Sequence, residues 1–274
     1  MTPIRHLNDG RTLPAIGLGT SSLKDDDARS AVRGGLELGY RLVDTAASYG
    51  NERAVGQGIA DAAVPREEVV VTTKLRGADQ GYEEALAAFE RSRTALDLDY
   101  VDLYLIHWPL PRLDRYVDSW RALVRLREEG LVRSIGVSNF TAEHLDRLQR
   151  ETGVVPAVNQ IELHPYFSQA AARADHAARG ILIEGWRPLG RKTDLLDHPV
   201  VVDVAARHGV SPAQAVLRWQ VQLGVVPLPK SGSAERQRIN LDVFGFALAE
   251  EDMAALSGLE RGRTGGDPDV HEEF

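Results

Sequence analysis

Short apolar runs and longer stretches with apolar residues at helical spacing take turns along this chain, and the two periods predict strands and helices in alternation. Ile16–Gly19 reads as a first strand, followed by a helical pattern over Asp26–Leu38. Leu42-Val43 forms a second strand ending at Asp44 and leads to a helix near Glu52–Ala60, with Asn51 placed to cap it. Val69–Thr73 is rich in β-branched residues and fits a third strand; Tyr82–Leu96 is amphipathic. Val101–Ile106 is the fourth strand, and Tyr116–Glu129 is helical and stops at Gly130. Ser134–Val137 is a fifth strand, followed by a helix over Thr141–Gln149 with Thr141 as its cap. Further strands begin at Ala157-Val158, Ile181–Ile183 and Val225-Val226. Helices are predicted over Gln169–Ala178 and Val200–His208, from Ser211-Pro212, and over Ala234–Leu241 and Glu250–Leu256. Ser211 before Pro212 is the expected pairing of N-cap and first helical residue.

Eight strands separated by helices, without a linker or a shift in composition, predict one domain with a (β/α)₈ TIM barrel. Leu7–Leu13, turning at Asn8-Asp9-Gly10, adds an N-terminal β-hairpin. A doubly wound open sheet is the alternative, but no Gly-x-Gly-x-x-Gly follows an early strand; Gly17-Leu-Gly19 lacks the rest. The segment from Gly262 to Phe274, rich in Gly, Asp and Glu, reads as surface.

The 274 residues contain no cysteine, which removes disulfides, thiolate nucleophiles and cysteine-ligated zinc together. No apolar run approaches the roughly 18 residues of a membrane helix, and the N-terminus has no signal-like apolar stretch. A cytoplasmic protein is expected. A formal charge of −8 argues against general affinity for nucleic acid or anionic membrane.

In a (β/α)₈ barrel, chemistry gathers at the C-terminal ends of the strands. Those positions here hold Asp44, Lys74, His107, Ser138-Asn139, Gln160, Trp186 and Lys230-Ser231. Any one of them is ordinary: a strand-end lysine is usually solvated, and a histidine beside Trp108-Pro109 could be a satisfied core residue. Their convergence on one mouth is not ordinary. The small residues Thr45–Ser48 let the turn bring Tyr49 back over the end of its strand, so an acid and a phenol meet there.

At these positions the chain resembles the aldo-keto reductase family over nearly its whole length. The resemblance is carried by residues 44–52 (DTAASYGNE), 73–75 (TKL), 105–109 (LIHWP), 136–140 (GVSNF), 159–165 (NQIELHP) and 188–190 (PLG). Residues 229–231 (PKS), with Arg236 and Asn240, continue it. The motifs are most similar to those of its bacterial 2,5-diketo-D-gluconate reductase-type members. The resemblance implies reduction of a small aldehyde, ketone or keto-sugar by NADPH, with a catalytic tetrad of Asp44, Tyr49, Lys74 and His107. Tyr49 is then the general acid, its pKa lowered by Lys74, which Asp44 holds by an ion pair. Neutral His107 would donate a hydrogen bond to the carbonyl oxygen.

For the cofactor, the resemblance implies contacts from Thr20, Asp44, Ser138, Asn139 and Gln160, with Trp186 stacked under the nicotinamide. Gly185–Gly190, with Arg187, Pro188, Leu189 and Gly190 among its contacts, would run along the pyrophosphate. Lys230, Ser231, Ser233 and Arg236 would grip the 2′-phosphate, and Asn240 the adenine. Tyr49, His107, Trp108 and Ser22 would face the substrate. A monomer is expected, and no metal. Two departures concern the pocket: Ser21-Ser22 replace a frequent aromatic, and Arg76-Gly77 replace bulky residues. A cofactor-binding regulatory or structural barrel is the main alternative; a metal-dependent hydrolase lacks the necessary ligands, only His107 and Asp44 qualifying.

Overall fold

A computed structural model describes residues 2–273. Strands β1 (Ile4–His6) and β2 (Thr12–Pro14) pair antiparallel as the expected hairpin. Eight strands then follow: β3 (Leu18–Gly19), β4 (Leu42–Asp44), β5 (Val70–Leu75), β6 (Val101–Ile106), β7 (Val132–Ser138), β8 (Val158–Glu162), β9 (Leu182–Trp186) and β10 (Val226–Pro227). They are all parallel and pair in sequence order, from β3 to β10. The ring closes where β3 meets the chain after β10: Gly17 N–H donates to Pro227 O and Gly19 N–H to Pro229 O, both at 3.1 Å. A doubly wound sheet has neither sequential order nor closure, so that alternative is excluded.

Helices α1 (Asp25–Leu38), α2 (Glu52–Asp61), α3 (Tyr82–Leu96), α4 (Tyr116–Glu128) and α5 (Ala142–Thr152) cover the first half of the ring. Helices α6 (Ala170–Arg179), α7 (Pro199–His208), α8 (Pro212–Gln222), α9 (Ala234–Leu241) and α10 (Glu250–Ser257) cover the second half. Local chemistry explains their ends. Helix α1 opens on Asp25-Asp26-Asp27, three acids at the positive end of its dipole. Helix α8 has the predicted Ser211-Pro212 start, with Ser211 and Gln214 forming a reciprocal capping box. Neighbouring helices approach closely where a side chain is missing: a Cβ on Gly56 of α2 would lie 2.1 Å from Leu96 O at the end of α3.

The largest apolar cluster lies between strands and helices, built from residues such as Val71, Phe89, Tyr104, Trp120 and Val137. Leu7 and Leu13 of the hairpin pack instead with Leu103, Leu105 and Val158. Asn8 Nδ2 donates to Pro156 O at 3.0 Å, so the hairpin covers the end of the barrel where β8 begins. One end is thereby plugged with apolar side chains, and the opposite, C-terminal end is left for chemistry. No described helix is long and apolar enough to cross a membrane.

Candidate active site

The C-terminal ends of the strands surround a cavity of about 460 Å³. Asp44, Tyr49, His107, Trp108, Ser138, Asn139, Gln160, Trp186, Arg187, Pro188, Leu189 and Lys230 all line it, although they come from the ends of six different strands and the loops that follow them. Lys74 is fully buried behind this wall. Its Nζ donates to Asp44 Oδ1 at 2.7 Å and to Thr45 O at 2.8 Å, and lies 5.2 Å from the centre of the Tyr49 ring. The Tyr49 and His107 rings meet edge to face with centres 5.9 Å apart. Asp44, Tyr49, Lys74 and His107, from the ends of three neighbouring strands, therefore form one contiguous group.

Asn51 does not cap α2 with its side chain. It accepts from Thr45 Oγ1 at 2.8 Å and donates to Thr20 O and Leu23 O, each at 3.0 Å. Its amide is thus spent on holding the loop after β3 against the turn that carries Tyr49. Thr20 is buried too: its N–H and its hydroxyl both donate to Asp44 O, so it fixes the strand end behind the cavity wall. Ser22 is exposed and outside the cavity; Ser21 lines it instead.

Electrostatics behind the wall are dominated by burial. Desolvation alone would lower Lys74, but Asp44, Tyr49 and Glu184 together leave it raised. Tyr49 is also raised: desolvation of its phenol outweighs the lowering by Lys74, with Asp44 and Glu273 adding to the rise. Part of the Tyr49 ring faces the open cavity, yet the hydroxyl sits among these charges. The expectation that Lys74 sets the net direction is corrected by this balance. A phenol so raised stays protonated at neutral pH, as an acid must.

Glu184 on β9 has no counterpart in the sequence reading. It is fully buried; Gln160 Nε2 donates at 2.8 Å to Glu184 Oε2 and at 2.8 Å to Asp44 Oδ1, tying the two carboxyls together. Desolvation first, and Asp44 second, push Glu184 up to about 8. Below its ordinary 4.5 the folded and unfolded chains both hold this proton. As pH rises from there toward 8 only the unfolded chain ionises, so stability falls, and it levels off above that range. Glu184→Gln should flatten this fall, which is on the order of a few kcal/mol between about pH 5 and 8. Urea unfolding of both proteins across that range checks it; parallel curves would mean that Glu184 is ionised in the folded chain.

On the far side, the side chains that line the wall are themselves braced. Ser138 Oγ donates to Gln160 O at 2.8 Å, Asn139 Nδ2 donates to Ser138 Oγ at 3.0 Å, and Trp186 Nε1 donates to Asn139 Oδ1 at 2.8 Å. Arg187, with φ of 51°, places its guanidinium 5.2 Å from the Trp186 ring centre. Arg191, unanticipated, also lines the cavity. Gly190 takes φ of 60° in the turn that follows Pro188-Leu189. Ser233 caps α9 by accepting from Arg236 N–H at 3.4 Å, and Arg236 Nε donates to Ser231 Oγ at 3.5 Å. Asn240 is buried on the same helix. Among the described residues, Arg187, Arg191, Lys230 and Arg236 have no acidic partner, although most arginines of this acidic chain do.

The C-terminal segment is more than a surface tail. Glu162, fully buried at the end of β8, accepts from Thr264 N–H at 3.1 Å, Gly265 N–H at 2.9 Å and His164 Nε2 at 3.1 Å. Desolvation opposes its ionisation, but those donors hold it below the usual carboxylate range. From there residues 264–273 cross the mouth as a strap. A Cβ on Gly265 would lie 2.3 Å from Trp186, and His271 packs on Trp108 with ring centres 4.0 Å apart. Gly266 and His271 line the cavity. The strap also accounts for Gly77: a Cβ there would lie 2.3 Å from Glu273 O. A side chain at 77 is excluded by the chain's own end. Among the described residues no group of three His, Cys, Asp or Glu side chains is placed to hold a metal ion.

The family model for the aldo/keto reductase family matches residues 15–193 and 192–261. The chain is 51% identical over 273 residues to 2,5-diketo-D-gluconic acid reductase B of Corynebacterium sp., covering 99% of both chains. It is 49% identical to an aldo-keto reductase of Mycolicibacterium smegmatis, covering 98% of both. Among solved structures, a Gox0644 mutant in complex with NADPH superposes with a TM-score of 0.95 at 45% identity, over 99% of both chains. A Bombyx mori aldo-keto reductase in complex with NADP gives a TM-score of 0.89 at 36% identity, over 95% of this chain and 93% of that one. With its ring of eight parallel strands and one mouth at their C-terminal ends, this chain is an oxidoreductase that belongs to the aldo/keto reductase family.

Proposed function

We propose that the protein reduces the carbonyl group of small aldehydes, ketones or keto-sugars with NADPH, and that Tyr49 is the proton donor. The observation that carries this reading is the stack of Asp44, Lys74 and Tyr49 at the cavity wall: a buried cation, held by one carboxylate, under a phenol. NADPH, when bound, supplies the hydride. Hydride addition turns a carbonyl oxygen into an alkoxide, and Tyr49 gives that oxygen its proton as the charge develops. Lys74 favours the tyrosinate left behind, and Asp44 keeps Lys74 in place. In the reverse direction Tyr49 takes the proton back. His107 orients the substrate, and Trp108 and His271 wall it in.

The donor set fits the cofactor. Ser138, Asn139 and Gln160 offer amide and hydroxyl groups beside Trp186, where a carboxamide and a flat ring can be held. Arg187, Arg191 and Lys230, unpaired and facing one cavity, suit a pyrophosphate. Arg236, Ser231 and Ser233 at the start of α9 suit the 2′-phosphate, and Asn240 the adenine. Arg236→Ala should therefore weaken NADPH about 10- to 100-fold, the worth of a charge-assisted hydrogen bond, and NADH little. Fluorescence titration with both cofactors checks this. Equal weakening of the two would place the 2′-phosphate elsewhere.

The same reading has a small-molecule partner only, and a monomer acting in the cytoplasm. The regulatory alternative is separated by turnover: NADPH oxidation followed with a panel of aldehydes, diketones and keto-sugars. Tight binding without turnover on any of them would favour a regulatory barrel.

A further inference from the structure

We propose that Glu184 is a positioning residue for the cofactor. By accepting one of the two N–H groups of the Gln160 amide, it keeps the amide oxygen of Gln160 turned to the cavity. The site thereby selects a nicotinamide ring whose carboxamide carries an NH₂ group. The proposal rests on the reading of Gln160 as a contact of that carboxamide.

The register of the sheet sets this up. Glu184 on β9 is the parallel partner of Gln160 on β8, so the two side chains leave neighbouring strands on one face. Trp186, two residues beyond Glu184, shares that face and lines the cavity; Glu184 is fully buried in the layer beneath. The main chain of Gln160 is held as well. Its carbonyl accepts from Asn139 N–H at 3.0 Å and from Ser138 Oγ at 2.8 Å. What remains to be fixed is the direction of its amide.

An amide NH₂ has two hydrogens to give, and its oxygen only accepts. Gln160 Nε2 donates to Asp44 Oδ1 and to Glu184 Oε2, both at 2.8 Å, so both hydrogens are committed to the barrel interior. The reversed amide would set its oxygen against Asp44 Oδ1, which accepts from Lys74 Nζ at 2.7 Å and has nothing to give. Gln160 Oε1 is left without a protein partner among the described residues, and Gln160 lines the cavity. Glu184 serves with or without a proton. Its Oε1 is buried and has no partner among the described residues, so a proton carried there leaves Oε2 to accept.

Without Glu184, one N–H of Gln160 is unspent. The amide then turns to give it to the cavity, where it opposes the NH₂ of a carboxamide instead of accepting from it. An acetyl group in place of the carboxamide has a methyl where the NH₂ stands, and gains nothing from the Gln160 oxygen.

The test compares three ligands by calorimetric titration: NADP⁺, its 3-acetylpyridine analogue, and 2′-phospho-ADP-ribose, which lacks the ring. The unmodified protein should prefer NADP⁺ to the analogue. In Glu184→Leu that preference should fall about 3- to 10-fold, the worth of one hydrogen bond, with 2′-phospho-ADP-ribose bound as before. Glu184→Gln, whose amide oxygen still accepts from Gln160, should keep it. Gln160→Leu should lose it, and adding Glu184→Leu to that variant should change it no further. If Glu184→Leu does not fold, Glu184→Met, of nearly the same length, takes its place. No preference in the unmodified protein overturns the proposal. So does a preference that survives removal of Glu184, or an equal weakening of all three ligands, which marks a general structural loss. A preference retained in Gln160→Leu removes Gln160 from the carboxamide, so the underlying reading fails. Loss there with retention in Glu184→Leu sinks the role of Glu184 alone.

Discussion

Tyr49→Phe should lower carbonyl reduction by roughly 10²–10⁴-fold, the usual worth of a general acid, while NADPH binding persists. The substitution removes one oxygen and leaves the ring, so the edge-to-face contact with His107 and the packing over Lys74 survive. What is lost is the proton that the nascent alkoxide needs. Because burial keeps the phenol raised, the unmodified enzyme should hold its reductive activity into mildly alkaline solution. Oxidation of the alcohol, which needs the tyrosinate as base, should instead rise with pH. Single-turnover rates with bound NADPH separate the chemical step from binding. Unchanged single-turnover rates in Tyr49→Phe would remove Tyr49 from its role.

Lys74→Met should be costly in two ways. It leaves Asp44 inside the barrel with no cation, and breaking a buried pair from one side destabilises by about 3–5 kcal/mol. Gln160 Nε2 still donates to Asp44 Oδ1, but it is shared with Glu184 and carries no charge. Activity should fall as well, because nothing then favours the tyrosinate. The double variant Asp44→Asn/Lys74→Met distinguishes the two effects. It removes both charges at once and should recover most of the stability, with activity still lost. Denaturant unfolding together with NADPH turnover reads both. If the double variant were no more stable than Lys74→Met, the ion pair would not be the source of the destabilisation. If it regained activity, Lys74 would have no part in the proton transfer.

Where sequence and structure differ, the difference has a consistent cause. Strand and helix positions follow from local periodicity, so α3 (Tyr82–Leu96), β6 (Val101–Ile106) and α9 (Ala234–Leu241) lie where the pattern placed them. Strand-end residues were legible for a similar reason: once the alternation implies a barrel, topology alone sends Asp44, Lys74, His107 and Gln160 to one mouth. Asn51 looks like a cap in sequence because a helix start offers a local use for an amide, and only the folded chain brings Thr20 and Leu23 within its reach. Glu184 and Glu162 do not stand out in the sequence because a carboxylate inside a strand carries no sign of whether its partners will be water or protein. Glu162 turns out to be the anchor of the strap.

By itself, then, the sequence determined the order of strands and helices, the barrel they form, and which residue types would face its open end. These depend on periodicity, capping and chain connectivity, all of which act over short stretches. Tertiary structure alone decided that residues 264–273 cross the mouth and that the Glu273 carboxyl lies 2.6 Å from His107 Nδ1. It alone decided that burial outweighs Lys74 in setting the Tyr49 phenol. Those outcomes depend on desolvation and on contacts between residues far apart in the chain. Glu273 meets Gly77 across 196 positions, and no local pattern encodes such a meeting.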